Sequence, residues 1–284
     1  MLLPDPNAEN SAVADPELTY NSLYLSDFPR IAETFLLNTK QSIHRIPPRI
    51  LHPLSLLKSS ILDGRRVAAV CDIQALPKPV RIATRVDESI RWRRSRRKFV
   101  KRAVDLGKVA SILYYADGVT GEAKATKVEL CSDDRIRLLA HPSAGAIYSI
   151  KVYLIAQNVQ GLENMIYLYD HYRHVLKRIG SYDSKELIES LTVVPTITVS
   201  DASFVLVLVS DVWKVLRKYG NRGLRYIFIE AGQIAENVHL VSRSLGLGSL
   251  DFGNYYDKLL EDLLGLDGLS SQAIHVVLAG ATAD

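Results

Sequence analysis

A dense run of basic residues is the first feature of the sequence with the means to do chemistry. Between Arg91 and Arg102, eight of the twelve residues are Arg or Lys, and Ser95 stands between two arginine pairs. Guanidinium groups and a hydroxyl at a helix start are donors that suit phosphate oxygens. Similar runs occur in nucleic-acid surfaces, membrane-surface segments and localisation signals. The run therefore predicts a negatively charged partner without saying which one.

The charge of the whole chain favours one local anion over a polyanion. The 284 residues include 35 Lys and Arg against 31 Asp and Glu, for a net charge of +4. A surface that stacks on nucleic acid needs aromatic residues among the basic ones, and only Trp92 lies inside the run. We therefore expect a specific anion site and no nucleic-acid partner.

A second candidate for chemistry is the Lys218–Tyr219 pair. Three arginines stand near it in sequence: Arg217, Arg222 and Arg225. Like charge and burial would lower the pKa of Lys218 towards the range of a general base. The same residues can also simply end a helix, because cations suit a helix C-terminus and Gly220 is a typical cap. Spacing alone favours the helix-end interpretation.

Metal and disulfide chemistry are not indicated. The two cysteines, Cys71 and Cys131, accompany no CxxC and no Cys/His cluster, so we expect no metal site and no disulfide framework. Four histidines without ligand spacing are predicted to be surface or satisfied core groups: His141, His171, His174 and His239. The N-terminus is unlike a signal peptide, and no apolar run reaches the roughly 18 to 20 residues of a membrane span. The sequence predicts a soluble, cytoplasmic protein that does not engage a membrane.

The elements that would position these residues mix strands and helices without a regular βαβ rhythm. Apolar spacing predicts helices over 99–116, 223–245 and 255–264. Alternating or continuous apolar runs predict strands over 146–156, 165–170, 203–211 and 275–280. The run 203–211 should be buried on both faces. No GxGxxG follows a strand, which disfavours a Rossmann domain.

The region before residue 87 has a different composition. Residues 1–18 are polar and Pro-rich, which predicts a flexible tail. Residues 19–86 contain predicted helical segments as far as residue 62, and then an extended linker or edge strand over 63–86. We place a domain boundary near residue 87, where the basic run begins.

Four segments, in order, resemble the FMN-dependent nitroreductase-like superfamily, and within it the SagB-type azoline dehydrogenases that act on thiazole/oxazole-modified peptides. The segments are RRSRRKF (93–99), HPSAGAIYSIKVYLI (141–155), WKVLRKYGNRGLRYIFIEAGQIAENVHLVSRSLGL (213–247) and LDFGNYYDKLLEDLLGLD (250–267). The third is the most specific. Together they cover most of residues 90–284.

The resemblance implies an α+β nitroreductase-like fold over 87–284, with a mixed, mainly antiparallel sheet flanked by helices. It implies a homodimer with FMN at the interface. It assigns FMN contacts to Arg93, Arg94, Ser95 and Arg97, and leaves Arg96 and Lys98 in solvent. It also assigns the flavin lining to Pro142, Ser143, Ala144 and Gly145. Glu230 and Asn237 become structural residues or lie near the flavin.

The resemblance further implies that Lys218 and Tyr219 are the catalytic pair of an enzyme that oxidises thiazolines and oxazolines to azoles. Residues 19–86 would then dock a leader peptide or a partner. The implied partners are a modified precursor peptide, a YcaO-type cyclodehydratase and leader-binding subunits. The sequence departs from the pattern at Ser149, where Pro is usual, and at HVVLAGATAD, which has no closing basic residue.

Three alternatives remain open at this stage. The first is a generic nitroreductase or ene-reductase that uses NAD(P)H and small molecules. The second is a basic binding module without enzymatic activity. The third is a catalytically degenerate scaffold subunit. The order of the four segments and the Lys218–Tyr219 pair favour the dehydrogenase.

Overall fold

The computed structural model describes residues 34–39, 72–124, 135–191 and 197–283. The chain divides into two compact units, Met1–Pro47 and Pro48–Asp284. The described part of the first unit contains a short helical turn over 34–38. All elements named below belong to the second unit.

The described residues of the second unit form six α-helices and eleven strands. The helices are α1 (Val86–Trp92), α2 (Leu106–Asp117), α3 (Ser184–Leu191), α4 (Val212–Tyr219), α5 (Gly223–Ser244) and α6 (Asp257–Leu264). The strands are β1 (Ile73–Ala75), β2 (Val104–Asp105), β3 (Val119–Lys124), β4 (Arg135–Leu139), β5 (Ile150–Ala156), β6 (Val159–Gln160), β7 (Ile166–Asp170), β8 (Val175–Gly180), β9 (Phe204–Asp211), β10 (Gly248–Asp251) and β11 (Ser271–Gly280).

A seven-stranded sheet forms the centre, in the order β1-β8-β7-β5-β9-β11-β10. Each neighbouring pair in this sheet is antiparallel, while the separate β2–β6 pair is parallel. Residues 204, 206 and 208 of β9 pack in one apolar cluster with α2 and α5. Residues 205, 207 and 209 pack on the other face with α3 and α6. The predicted α+β fold and the two-sided burial of 203–211 are confirmed.

The predicted helix over 99–116 was wrong in its first part. Phe99 is buried, and the backbone N–H of Val100 donates to the carbonyl of Ala281, so this stretch runs extended beside the end of β11. The helix α2 begins at Leu106, where the Asp105 carboxylate accepts from the N–H of Gly107 at 2.8 Å. Phe99, Val100 and Val104 contact the core from an extended segment, and their spacing alone could not be told from that of a helix.

Two further boundaries differ from the prediction. The strand predicted over 146–156 begins at Ile150, because the backbone before it makes a tight turn. The last strand is longer than predicted and covers 271–280. The helices predicted over 223–245 and 255–264 are confirmed as α5 and α6, and the strand 165–170 as β7.

Residues 72–86 belong to the second unit and pack against its sheet and α2. β1 is an edge strand, as the sequence allowed, and pairs with β8. The N–H of Val80 donates to Ser111 Oγ, and the hydroxyl of Tyr115 donates to the Val80 carbonyl. The tail over 1–18, most of the docking region 19–86, Cys71 and Cys131 lie outside the described residues. The boundaries at 18 and 86 stay predictions.

Within the described ranges, no helix combines the length and the apolar character needed to cross a bilayer. In the same part of the chain, no group of three or more His, Cys, Asp or Glu side chains is placed to hold a metal ion.

Candidate active site

The central helix α5 organises both candidate sites. It has 22 residues and is therefore about 33 Å long. Its N-terminal end follows the Lys218–Tyr219 pair, and its C-terminal end carries His239 and Arg243. Glu230 and Arg243 are separated by roughly 20 Å along the helix axis.

A turn over residues 142–148, here called the 142–148 turn, lies against α5. Gly145, Ala146 and Tyr148 have φ values of 62°, 53° and 49°. Only glycine adopts this region without strain, so a turn with two non-glycine residues there must be held by its surroundings. Ser143 supplies one such restraint, because its Oγ accepts from the N–H of Tyr148 at 2.9 Å.

The buried carboxylate of Glu230 accepts hydrogen bonds from the 142–148 turn and from the two residues after it. Glu230 is 2% exposed. It accepts from Ser143 Oγ at 2.5 Å and from the N–H groups of Ser149 and Ile150 at 2.9 and 3.2 Å. Burial raises the pKa of Glu230 above its ordinary value, and these donors offset part of the rise. Glu230 is thus a structural residue beside the predicted flavin lining, and the Ser143 hydroxyl is already committed to it.

The lysine–tyrosine site, defined here as Gly145, Lys218 and Tyr219, brings two distant segments together. A Cβ added at Gly145 would collide with Lys218 Nζ and would lie 2.5 Å from the Tyr219 hydroxyl. The two reactive atoms therefore converge on a backbone position that has no side chain. The structure brings Lys218 and Tyr219 to the segment that the resemblance assigned to the flavin.

Burial sets the protonation chemistry of this pair. It lowers the pKa of Lys218 below its ordinary value, as expected for an ammonium removed from water. Burial also raises the pKa of Tyr219, and Tyr226, whose ring centroid is 4.9 Å away, adds to the rise. The predicted arginine crowding is not the cause of the shift, because Arg217 is exposed and Arg222 Nε donates to the Tyr226 hydroxyl.

The helix-end interpretation of this pair also holds. α4 ends at Tyr219, and the N–H of Gly220 closes the last turn on the carbonyl of Leu216. Gly220 has a φ of 56°. The cap fixes where both side chains leave the helix, so the helix-end interpretation and the catalytic interpretation of the pair do not exclude each other.

A buried ion pair holds His141, the residue just before the 142–148 turn. His141 and Asp117 are fully buried, with Nε2 donating to Oδ1 at 3.0 Å, and His171 Nδ1 lies 3.2 Å from the other oxygen. Burial alone would lower the pKa of His141, but the contact with Asp117 raises it above its ordinary value. Burial alone would raise the pKa of Asp117, but the two histidines hold it below its ordinary value. His141 is the satisfied core group that the sequence predicted.

The second site, here called the arginine cavity, lies at the C-terminal end of α5. It has a volume of about 140 Å³. Its polar lining comprises Arg93, Arg94, Arg96, His239, Arg243, Ser249 and Thr282. No carboxylate from the described residues lines it. Such a concentration of guanidinium groups around a small cavity suits an anion with several oxygens.

The predicted phosphate ligands divide between this cavity and solvent. Arg93 and Arg94 line the cavity, and Arg94 also donates from Nη1 to the carbonyls of Arg91 and Arg93 at the end of α1. Ser95 and Arg97 are exposed and are not among the lining residues, so their FMN contacts stay predictions.

Two expectations about this segment were wrong. Arg96, expected in solvent, lines the cavity, because its N–H donates to the Ser249 carbonyl at 2.9 Å and its stem packs against Gly248. Ser95 is not a helix N-cap, because it forms a backbone bridge with Ser249 in an extended segment.

Sequence reasoning missed Arg243, His239 and Ser249. Nothing in the spacing of Arg243 links it to Arg93, which stands 150 positions earlier. A usable signal was present for Ser249, since it lies beside two glycines that permit close packing, Gly246 and Gly248.

Comparison with known families decides the wider assignment. The family model described as "Nitroreductase family" matches residues 90–280. This chain belongs to the nitroreductase family. A Methanocaldococcus jannaschii protein that carries a nitroreductase name is 33% identical over 173 residues, which are 61% of this chain and 80% of that protein. Members of the nitroreductase family are oxidoreductases that typically bind FMN.

Two solved structures share the nitroreductase fold. A Ralstonia eutropha JMP134 protein that also carries a nitroreductase name has a TM-score of 0.60 and 23% identity, and the match covers 77% of this chain and 93% of that chain. A chain of the E. coli microcin synthetase McbBCD complex, solved with truncated pro-MccB17 bound, has a TM-score of 0.55 and 20% identity. That match covers 95% of this chain and 99% of the other.

Proposed function

We propose that this protein is an FMN-dependent azoline dehydrogenase of a peptide-modifying synthetase. One observation carries the proposal: Lys218 Nζ and Tyr219 Oη converge on Gly145, a glycine at positive φ in the segment expected to line a flavin. A lysine whose pKa is lowered by burial, next to a tyrosine hydroxyl, is suited to remove a proton from a bound substrate.

The residues present fit an FMN. The absence of a side chain at Gly145 lets Lys218 Nζ and Tyr219 Oη reach the backbone of the segment expected to line the flavin, so both atoms would lie beside a bound ring. The arginine cavity offers guanidinium donors for a phosphate group. Bound FMN would supply the two-electron acceptor, with its N5 taking a hydride.

The protein's own residues would handle the proton. Oxidation of an azoline ring breaks two C–H bonds on neighbouring carbons and forms one carbon–carbon double bond. One carbon releases a hydride, and the other releases a proton that the unprotonated Lys218 amine accepts. Tyr219 Oη, which also approaches Gly145, would share or relay that proton or orient the ring by a hydrogen bond. Burial favours the neutral amine that this step requires.

The distance between the two sites supports a homodimer with shared sites. Arg243 at the arginine cavity and Glu230 beside the 142–148 turn are roughly 20 Å apart along α5. The five-carbon ribityl chain that joins the ring to the phosphate spans no more than about 9 Å, from roughly six bonds of 1.5 Å. We infer that each FMN takes its phosphate contacts from one chain and its ring contacts from the other.

The partners would be a modified precursor peptide, a YcaO-type cyclodehydratase and leader-binding subunits. In support, the match to the microcin synthetase chain covers 95% of this chain, against 77% for the Ralstonia eutropha protein. The additional coverage extends into the region before residue 87. That region, residues 19–86, is the proposed docking segment.

Flavin content and substrate choice test the proposal. We expect the purified protein to be yellow, to release FMN on denaturation and to convert a thiazoline-containing peptide to the thiazole, with a mass loss of two hydrogens. A colourless protein that takes up no added FMN would reject the flavoenzyme assignment.

A generic nitroreductase is the second candidate, and the 33% identity to the Methanocaldococcus jannaschii protein favours it. It predicts reduction of nitroaromatic compounds with NAD(P)H and no action on azoline peptides. The same preparation distinguishes the two, because the dehydrogenase oxidises the azoline without added NAD(P)H.

A further inference from the structure

A chain of polar groups that starts from two buried residues, His239 and Ser249, lies behind the arginine cavity. His239 on α5 is 2% exposed and Ser249 on β10 is 3% exposed, and both line the cavity. His239 Nδ1 lies 2.7 Å from Ser249 Oγ. On its other side, His239 Nε2 lies 2.9 Å from Asp251 Oδ1, poorly aligned for a hydrogen bond but within ion-pair distance. His275 Nε2 lies 2.7 Å from the same oxygen.

Asp251 fixes where the first proton of His239 resides. Burial alone would raise the pKa of Asp251, but His239 and His275 hold it well below its ordinary value, so the group is a carboxylate. A carboxylate oxygen 2.9 Å from Nε2 favours a proton there, because two unprotonated acceptors at that distance would repel each other. Whether Nδ1 also carries a proton then decides whether the Ser249 hydroxyl donates a hydrogen bond to His239 or accepts one from it.

The two protonation states of His239 give Ser249 opposite roles. When the ring is neutral, Nδ1 is an acceptor, and Ser249 must use its only hydrogen to donate to it. When the ring is doubly protonated, Nδ1 donates to Ser249 Oγ, and the serine hydrogen is free to point into the cavity. A phosphate group offers only acceptors at neutral pH, so it can be bound by Ser249 only in the second state.

Charged groups around His239 also couple its protonation to phosphate binding. A second proton on His239 is disfavoured by four guanidinium groups, those of Arg93, Arg94, Arg96 and Arg243. Asp251 favours it, while His275 competes for the same carboxylate oxygen. A dianion in the cavity would neutralise the arginines and favour the imidazolium directly.

We propose that Ser249 and His239 form a proton-coupled phosphate ligand, so that binding of a phosphate monoester in the arginine cavity takes up a proton at His239. The inference rests on the proposed function for its ligand, the phosphate of FMN. The imidazolium, fixed by Asp251, then turns the Ser249 hydroxyl into a donor beside Arg96 and Arg243.

Calorimetric titration of the flavin-free full chain with FMN and with riboflavin tests the proposal. Titrations are run between pH 7 and 8.5, above the second ionisation of a phosphate monoester near pH 6, in buffers of different ionisation enthalpy. We expect FMN binding to take up a fraction of a proton and to weaken as the pH rises, and riboflavin binding to do neither. Inorganic phosphate should compete with FMN and leave riboflavin binding unchanged, which separates the cofactor's phosphate from free phosphate.

Variants locate the proton. His239→Gln should abolish the proton uptake, and Ser249→Ala should weaken FMN binding on the order of tenfold with riboflavin unaffected. His275→Gln is the matched control, because His275 contacts the same carboxylate without lining the cavity, and it should retain the uptake. The wild-type titrations decide the question even where a variant fails to fold.

The outcomes separate this inference from the proposed function. FMN binding without proton uptake, or with the affinity of riboflavin, would overturn the inference and leave the flavoenzyme standing. Failure of both flavins to bind would overturn the proposed function and the inference together.

Discussion

The two ends of α5 support their candidate groups in different ways. Towards the N-terminal end a buried carboxylate fixes the groups, whereas at the C-terminal end arginines that extend from the surface line a cavity. Glu230 accepts one hydrogen bond from the 142–148 turn and two from the residues that follow it, and thereby fixes the backbone that faces Lys218 and Tyr219. In the arginine cavity, Arg93 is 4.0 Å from Glu236 and its side chain is one-third exposed.

The difference follows from the chemistry expected at each end. Proton removal needs reacting atoms placed to within a fraction of an ångström, which requires rigid support. Attraction between charges falls off slowly with distance, so several flexible guanidinium groups can hold one phosphate. Substitutions at the first end should therefore change turnover, and substitutions at the second end should change cofactor affinity.

The largest effect is expected from Lys218→Ala. Loss of a general base should lower the rate of azoline oxidation by roughly 10²- to 10⁴-fold while FMN stays bound. Because burial lowers the pKa of Lys218, the wild-type rate should rise with pH through a pKa below the ordinary 10.5. Arg217→Ala, the exposed neighbour on α4, is the control. Full activity in Lys218→Ala would reject the assignment.

Mixed dimers test whether one FMN draws on both ends of α5 in a single chain. One chain carries Lys218→Ala, and the other carries Arg96→Gln with Arg243→Gln. If each site combines the two ends from different chains, the mixed dimer contains one intact site and should recover up to about half of the wild-type activity. The assay is run at an FMN concentration too low to load the double arginine variant; under that condition, sites built within one chain would leave the mixed dimer as inactive as its parents.

Gly145→Ala should separate strain from interference with the reactive atoms. The new Cβ would displace Lys218 Nζ and Tyr219 Oη, so we expect a loss of activity on the order of 10- to 100-fold. Its positive φ should cost about 1 kcal/mol of stability as well. Gly161→Ala, at a φ of 81° with no atom near the added Cβ, should show a similar stability loss and normal activity.

Arg96→Gln should weaken FMN binding by about tenfold and leave turnover at saturating FMN unchanged, because a charged hydrogen bond to phosphate is removed. Riboflavin affinity should not change. Arg97→Gln serves as the comparison, since Arg97 is exposed and does not line the cavity. A larger loss of FMN affinity in Arg97→Gln than in Arg96→Gln would show that the phosphate binds elsewhere on this segment.

The smallest expected effect is a pH-dependent change in the free energy of unfolding. The folded-state pKa of His141 is raised and that of Asp117 is lowered, so their stabilisation is fully present between the ordinary values, about pH 3.8 and 6.5. It fades as the pH rises through the folded-state pKa of His141. Urea unfolding of wild type and His141→Gln should therefore differ most in that window.

His174 provides a control of opposite sign. Burial lowers its pKa, so its contribution to stability is present above pH 6.5 and is lost as the pH falls. The difference between wild type and His174→Gln should thus change in the other direction. The same trend in both variants would contradict the assignment of His141 to an ion pair.

The sequence by itself determined the parts of the protein that depend on local pattern and on the order of motifs. A continuous apolar run specified a strand buried on both faces, and a wide apolar stripe specified the helix α5. The four ordered segments specified the nitroreductase fold, while the anion indicated by the basic run stays a prediction. Each of these follows from neighbours in the chain, because side-chain periodicity reports which face of an element is buried.

Only the tertiary structure decided which atoms meet. Local periodicity could not show that Phe99 faces the core from an extended segment, so the start of α2 was misplaced. It could not choose Arg96 over Arg97, because that choice depends on pairing with β10. Nor could it place Gly145 against Lys218, which lie 73 positions apart. Such convergence is set by the packing of distant elements around a common helix, and no single segment of the sequence contains it.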